Sequence, residues 1–584
     1  MWEFAQDSVT GQLKVDQALL NVSSTLYESL WLYQLSDECI ACPYKKLKKI
    51  PARSYIVERI NTATQLKWSL YKSNVGPYAF QNSTAFCVVK PDNLGQFGIY
   101  NLTVDDNGCT FHTHQAPVNR ILSIFLLLAF VSLAYIIFVL LQRGRKYLIN
   151  RNNSTASTSQ LDSHDVTLAA VNAAKQKNLS SNRLCSLDAF RGLAIVTMIF
   201  ANSGCGEYHW IEHASWNGIH PADFIFPSFL WIMGVCIPIS LKSQFAKNIP
   251  HQDILSSIFI RSLKLFFVGL LIHTAHGPNF ADIRIMGVLQ RFGIAYLVIA
   301  SLQVLLRRHV AIDTEEQTRS WRTSFLDITS LSTQWTIMLV LIVFHLLIIF
   351  FIPVPGCPSG YLGPGGIHEM ARYNNCIGGA AGYVDRLIIG TRHLYQRPRA
   401  AVVYDERMPF DPEGPFGCLL TIVQVFFGVQ CGNTLLLFTQ PIDRLKRWLC
   451  WSIGTFLIGG CLCQFSINDG LIPINKNLWS LSFVLVTTSF AFLLLSIFYV
   501  IIDVKKYWSG TPLTFAGMNA ILMYIGSELL GQMYPFYWRF EGMNTHFMFL
   551  LVNVWNAAAW NLFIFGRNKR KKTIYMRDFD QSII

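Results

Sequence analysis

Long apolar runs separated by short polar or basic joints dominate the chain. A helix needs about 20 predominantly apolar residues to cross the hydrocarbon core of a bilayer. By that measure the sequence predicts about eleven spans, near residues 118–141, 189–203, 223–241, 257–274, 286–306, 334–353, 416–438, 448–465, 478–502, 513–532 and 547–565. Residues 1–117, ahead of the first run, are mixed and polar and predict a small β-rich domain. Residues 142–186, rich in Ser, Asn and Ala, read as a linker. Residues 187–566 form the expected ten-helix core, interrupted by one long loop at 354–415, and 567–584 is a basic tail. The expected fold class is a polytopic α-helical membrane protein with a small domain in front.

The basic joints orient this arrangement. Arg143, Arg145, Lys146 and Arg151 follow the first run. Alternating the spans from there puts Lys242 and Lys247, Arg307 and Arg308, Arg444, Lys446 and Arg447, Lys505 and Lys506, and the Arg567 to Lys572 tail on one side, as the positive-inside rule requires. The N-terminal domain and the 354–415 loop are then expected in the lumen, and the C-terminus in the cytosol. The opening residues contain no basic and apolar leader, so either the true start lies upstream or the first span acts as a reverse anchor.

Composition agrees. Of 584 residues 52% are hydrophobic and 14% charged, and the mean hydropathy is +0.33, too apolar for one soluble core. The net charge of +13 does not indicate nucleic acid, because the cations sit beside apolar runs and read as topology signals and anion contacts. No repeat of solenoid period and no inverted repeat is evident, which counts modestly against a transporter.

Cysteines divide by position. Cys39, Cys42, Cys87 and Cys109 lie in the N-terminal segment, and Cys357 and Cys376 in the long loop. Cys39 and Cys42 make a C-x-x-C, but no second pair at metal spacing accompanies it, so disulfides are expected rather than zinc. Sequons at Asn21, Asn82 and Asn101 fit a secretory lumen; those at Asn152, Asn153 and Asn178 fall in the linker and are expected to stay unused.

Ionisable groups within apolar spans are costly and therefore functional candidates. Asp188 and Arg191 share a helical face in Leu187-Asp188-Ala189-Phe190-Arg191-Gly192. Arg261 and Lys264 repeat that spacing, and Arg291 lies inside the fifth span, with Glu528 as a candidate counter-charge. A cluster of cations suits a polyphosphate ligand, whereas snorkelling accounts equally well for Arg261 and Lys264. Residues 201–218, ANSGCGEYHWIEHASWNG, are dense in proton-transfer groups. His213 is a candidate general base, and Asn202 a hydrogen-bonding partner for an amine or a developing oxyanion. His209, Glu212 and His213 also spell H-x-x-E-H, a zinc-ligand arrangement that here lacks a third ligand, so no metal is expected.

Several strings resemble the heparan-α-glucosaminide N-acetyltransferase family: LDAFRG from Leu187, HASWNG from His213, GVLQRFG from Gly287, PVPGCPSGYLGPGG from Pro353, GAAGYVDR from Gly379, NKNLWSLS from Asn475 and TPLTFAGMN from Thr511. LDAFRG also looks like the signature of a wider superfamily of transmembrane acyltransferases. The resemblance implies a multi-pass lysosomal enzyme that takes acetyl from cytosolic acetyl-CoA and places it on the terminal glucosamine of heparan sulfate in the lumen, with no permanently bound cofactor. It puts the family's active-site histidine on His213 and its catalytic asparagine on Asn202. Asp188, Arg191, Arg261, Lys264 and Arg291 are then candidate contacts for acetyl-CoA. Expected partners are acetyl-CoA, heparan sulfate and the lipid bilayer, with a homo-oligomer among the states to test. A transporter of an anionic solute, using Asp188, Arg191, Arg291 and Glu528 as a charged path, is the alternative, and a zinc hydrolase a third reading.

Overall fold

A computed structural model describes residues 13–80, 84–153, 184–275, 277, 279–306 and 325–570. Asn82, Asn178, Arg307, Arg308, most of the expected linker and the end of the basic tail lie outside the described residues. Nine strands come first, then helices to the C-terminus.

The strands form two sheets. β1 (Gln17–Ser24), β4 (Tyr55–Asn61), β8 (Ile99–Asp105) and β9 (Gly108–Gln115) make one, in the order β4-β1-β8-β9. β2 (Leu30–Ser36), β3 (Tyr44–Ile50), β5 (Leu66–Tyr71), β6 (Tyr78–Ala79) and β7 (Cys87–Val89) make the other, in the order β6-β3-β2-β5-β7. Alternate residues of both, including Ala18, Leu20, Val22, Leu30, Leu32, Trp68 and Leu102, close a single buried core, as period-two burial between stacked sheets demands. Disulfides join Cys39 to Cys42 and Cys87 to Cys109 in this domain, and Cys357 to Cys376 in the long loop.

The helices are α1 (Arg120–Asn153), α2 (Cys185–Asn202), α3 (Ile225–Ala246), α4 (His251–His273), α5 (Val288–Leu305), α6 (Ser332–Phe351), α7 (Gly379–Ile389), α8 (Cys418–Leu437), α9 (Pro441–Leu462), α10 (Leu481–Phe498), α11 (Leu513–Met518), α12 (Ala520–Leu530) and α13 (His546–Arg570), apart from shorter turns. Among the described residues eight stretches are long and apolar enough to cross a membrane. α9 falls short because Asp443, Arg444, Lys446 and Arg447 occupy its first two turns. The span expected at 513–532 is broken at Asn519, whose side chain donates to the Phe515 carbonyl (2.9 Å), a local bond that competes with helix continuation. α1 runs to Asn153, past the apolar stretch, so the first twelve residues of the expected linker are helical; polar residues end a membrane run without ending a helix.

Small residues set the helix contacts, as they must where lipid supplies no hydrophobic drive between helices. A Cβ on Gly192 of α2 would overlap the Leu513 carbonyl of α11, and one on Gly517 would overlap the Asp188 carbonyl. Gly234 of α3 and Gly428 of α8 approach each other in the same way. The 354–415 loop has its own core, in which Ile367, Ile377, Tyr404 and Phe410 pack with Trp216, Leu478 and the Cys39–Cys42 bridge. The β domain, the long loop and the ends of α2, α3, α10 and α13 therefore meet on one face of the bundle.

Candidate active site

His213 stands at that meeting point. Asp223, fully buried in the turn that leads into α3, accepts from the backbone N–H groups of Ala214 (3.2 Å) and His220 (2.9 Å), so the carboxylate is fixed before it meets the ring. Its Oδ1 lies 2.7 Å from His213 Nδ1. Lys476 Nζ is 2.8 Å from the same nitrogen and 3.5 Å from Asp223 Oδ1. Nδ1 cannot donate to one and accept from the other at once. The buried carboxylate has the stronger claim on a proton, and we assign the Nδ1–H tautomer, with Lys476 as a flanking cation. Nε2 makes no hydrogen bond among the described residues, and about a third of the side chain (34%) is exposed. Burial, and then the Lys476 charge, hold the imidazole below its usual 6.5 despite Asp223. A neutral ring with a free Nε2 lone pair is the form a general base needs.

The HASWNG segment is clamped from several directions. Trp216 Nε1 donates to the Leu362 carbonyl (2.9 Å), Asn475 Nδ2 to Asn217 Oδ1 (3.0 Å), and Asn477 Nδ2 to the Ser215 carbonyl (3.3 Å). Arg399 donates to the His213 carbonyl (2.7 Å) and pairs with Glu212 (2.6 Å). His209 meets Glu38 of the β domain, a contact that raises its pKa. The two histidines of H-x-x-E-H thus turn to different carboxylates. Cys205, the nearby thiol, is pushed up to about 12 by burial and then by Glu212, which removes it as a thiolate nucleophile. Asn202 ends α2 on the same face, and its Nδ2 donates to Glu528 Oε1 of α12 at 2.6 Å.

An open cavity lies among α2, α3, α4, α5 and α12. Its lining is apolar except near one end, where Arg191, Arg261, Ser240 and Gln244 gather; Val288 and Tyr524 mark the other. Phe229 of this lining, near the start of α3, lies six residues after Asp223, on the order of 10 Å along the chain's helical course. Arg191 contacts Cys236 Sγ (2.9 Å) and the Gly517 carbonyl (3.5 Å), with Asp188 at 3.6 Å. Arg261 stacks on Tyr296 and bonds its hydroxyl (3.2 Å), leaving Nε buried without an acceptor.

A family model described as heparan-alpha-glucosaminide N-acetyltransferase, catalytic, matches residues 183–313. The curated heparan-alpha-glucosaminide N-acetyltransferase of Mus musculus is 36% identical over 591 residues, covering 96% of this chain and 89% of the mouse protein. The Homo sapiens protein of the same name is 36% identical over 600 residues, covering 96% of this chain and 88% of its own. The chain belongs to this family.

In this heparan-alpha-glucosaminide N-acetyltransferase relative, the candidate cations separate. Arg191 and Arg261 line the cavity, Asp188 sits beside Arg191, and Lys264 faces outward. Arg291 is not brought to the cavity. It is fully buried, stacks on Trp479, and donates to the carbonyls of Pro412 (2.9 Å) and Gly414 (3.1 Å), tying the long loop to α5. Glu528, its expected counter-charge, pairs with Asn202 instead, so Asp188, Arg191, Arg291 and Glu528 do not line up as one charged path. Reading the sequence alone missed Asp223 and Lys476. Asp223 opens the span expected at 223–241, and Lys476 lies inside NKNLWSLS; a charge in a string carrying the family likeness is the available signal.

Proposed function

We propose that this N-acetyltransferase works across the bilayer, taking acetyl from cytosolic acetyl-CoA and delivering it to the terminal α-glucosamine of heparan sulfate in the lysosomal lumen. The observation that carries this reading is the position of the Asp223–His213 pair on the face that holds the β domain and long loop, six residues ahead of Phe229, which lines a cavity whose arginines cluster toward the opposite end. Arg191 and Arg261 then meet the phosphates of the donor, and the apolar lining takes its arm up to the thioester.

The acceptor amine must be neutral to attack. His213 Nε2 takes the N–H proton that the neutral amine sheds as its nitrogen forms the bond to the thioester carbonyl carbon. Collapse breaks the C–S bond and gives amide and thiolate, which takes the proton back from the imidazolium. Asp223 holds Nδ1–H and stabilises the imidazolium. Asn202, steadied by Glu528, orients the amine or the developing oxyanion.

The test uses purified protein and radiolabelled acetyl-CoA. Direct transfer predicts no stoichiometric release of CoA without acceptor and no label on His213. Label trapped on His213, with a matching burst of CoA, would replace the base by an acyl carrier. Intact transfer in His213→Ala would sink both.

A further inference from the structure

The outer face of the five-stranded sheet has a composition that acetyl transfer leaves unexplained. β3 reads Tyr44-Lys45-Lys46-Leu47-Lys48-Lys49-Ile50. In a regular strand Lys46 and Lys49, three apart, point to opposite faces. Pairing with β2 slips, so that Leu32 opposes Lys48 while Tyr33 opposes Lys46; Leu47 is the extra residue, and this bulge resets the alternation. Lys46 and Lys49 therefore share a face with Trp31 and Tyr33. Their Nζ atoms lie 3.8 and 5.3 Å from the Trp31 ring centroid.

The neighbouring lysines are neutralised, Lys45 by Asp405, Lys48 by Glu58 and Lys67 by Asp37. Among the described residues Lys46 and Lys49 have no carboxylate within ion-pair distance, and Lys46 donates only to Asn74 Oδ1 (3.0 Å). Two ammonium groups held against one partly buried indole, neither with a carboxylate partner, repel each other until an anion lies between them. A sulfated sugar supplies both complements, a ring face for the indole and sulfates for the lysines.

The opposite face of the sandwich differs. Asn21 and Asn101 are neighbours there on β1 and β8, with Asn21 Nδ2 3.3 Å from Asn101 Oδ1, so glycans on those sequons would cover that side and leave the lysine face open. The lysine face also leads to the active site. Seven residues, on the order of 20 Å, separate Trp31 from Glu38, which holds His209. Lys45 is tied to Asp405, six residues after the Arg399 that clamps His213.

We propose that the Trp31, Lys46 and Lys49 face binds the sulfated chain that trails behind the glucosamine being acetylated. This rests on the heparan sulfate reading above. The test compares full-length wild type with Lys46→Ser/Lys49→Ser on two acceptors, a methyl α-glucosaminide and a sulfated chain ending in the same sugar. The double variant should raise KM for the chain at least about fivefold at low salt without changing kcat, leave the glycoside within twofold, and recover in Lys46→Arg/Lys49→Arg. Equal effects on both acceptors, or none, overturn the proposal. If wild type acetylates neither acceptor, the functional reading has failed, and retention on immobilised heparin decides separately: weaker retention of the double variant supports the surface, and equal retention overturns it. Loss of binding to phosphatidylserine vesicles with an unchanged chain KM would assign the face to lipid and also overturn it.

Discussion

The mouth around His213 and the cavity around Arg191 and Arg261 are both rich in charge, but they treat it differently. At the mouth, charges are interlocked. Asp223 holds two backbone N–H groups and an imidazole, Arg399 holds a carbonyl and a carboxylate, and Glu413, which burial would raise, is kept below the usual range by Arg284, Arg291 and Lys476. In the cavity Arg191 has a sulfur, a long carbonyl contact and a carboxylate at 3.6 Å, and Arg261 keeps a buried N–H with no acceptor. In the first arrangement the groups that hold His213 are paired without a ligand, as suits a preorganised proton-transfer site, while Arg291 behind them keeps two buried N–H groups with no acceptor. The second is incomplete, as suits a site whose anion arrives and leaves.

That contrast can be broken at its strongest point first. His213→Ala should lower kcat by about 10²–10⁴-fold with little change in the KM for acetyl-CoA, measured by acetyl transfer to a glucosaminide. Asp223→Asn should cost at least about 100-fold in kcat, because the amide no longer favours the Nδ1–H tautomer; a loss confined to KM would remove Asp223 from its positioning role.

Arg191→Ala and Arg261→Ala should each raise the KM for acetyl-CoA about tenfold, the worth of one charge-assisted contact, leaving the KM for the glycan alone. If the glycan KM moves instead, the cavity holds the wrong substrate.

Lys476→Met gives a smaller, directional change. The imidazole is active when neutral, so kcat/KM rises with pH through its pKa, which lies below 6.5 in the wild type. Removing a nearby cation raises that pKa and should move the rising limb to higher pH. No movement would show that Lys476 acts only through packing.

The smallest effect concerns stability. Burial lifts Asp385, in the long loop, from 3.8 to about 7. The folded state then binds a proton that the unfolded state has already lost between about pH 4 and 7, so this group's contribution to stability is full below pH 4 and declines as pH rises through 7. Asp385→Asn should flatten that decline in thermal unfolding followed from pH 4.5 to 7.5.

Much of the plan was legible. The helices track the apolar runs because a bilayer admits few alternatives to a helix, and the β domain and its cysteines stood apart by polarity. HASWNG marked His213 as a candidate base. The break at Asn519, the extension of α1 and the two partners of His213 were not legible, because each depends on a bond or pairing between groups whose approach no local pattern encodes. The equal spacing of Asp188/Arg191 and Arg261/Lys264 shows the limit. Three-residue spacing puts two side chains on one helical face, yet Arg261 enters the cavity while Lys264 faces outward.

The sequence by itself determined the solvent of this protein, its polytopic helical class, its separate β domain and its family likeness, since hydropathy and residue strings are properties of the chain alone. Only the tertiary structure decided which charged groups meet. It brought Asp223 and Lys476 to His213 from ten and 263 residues away, sent Arg291 to the loop, and left Arg191 and Arg261 at a cavity. Burial and the nearest partner set what a charged group can do, and both are consequences of packing.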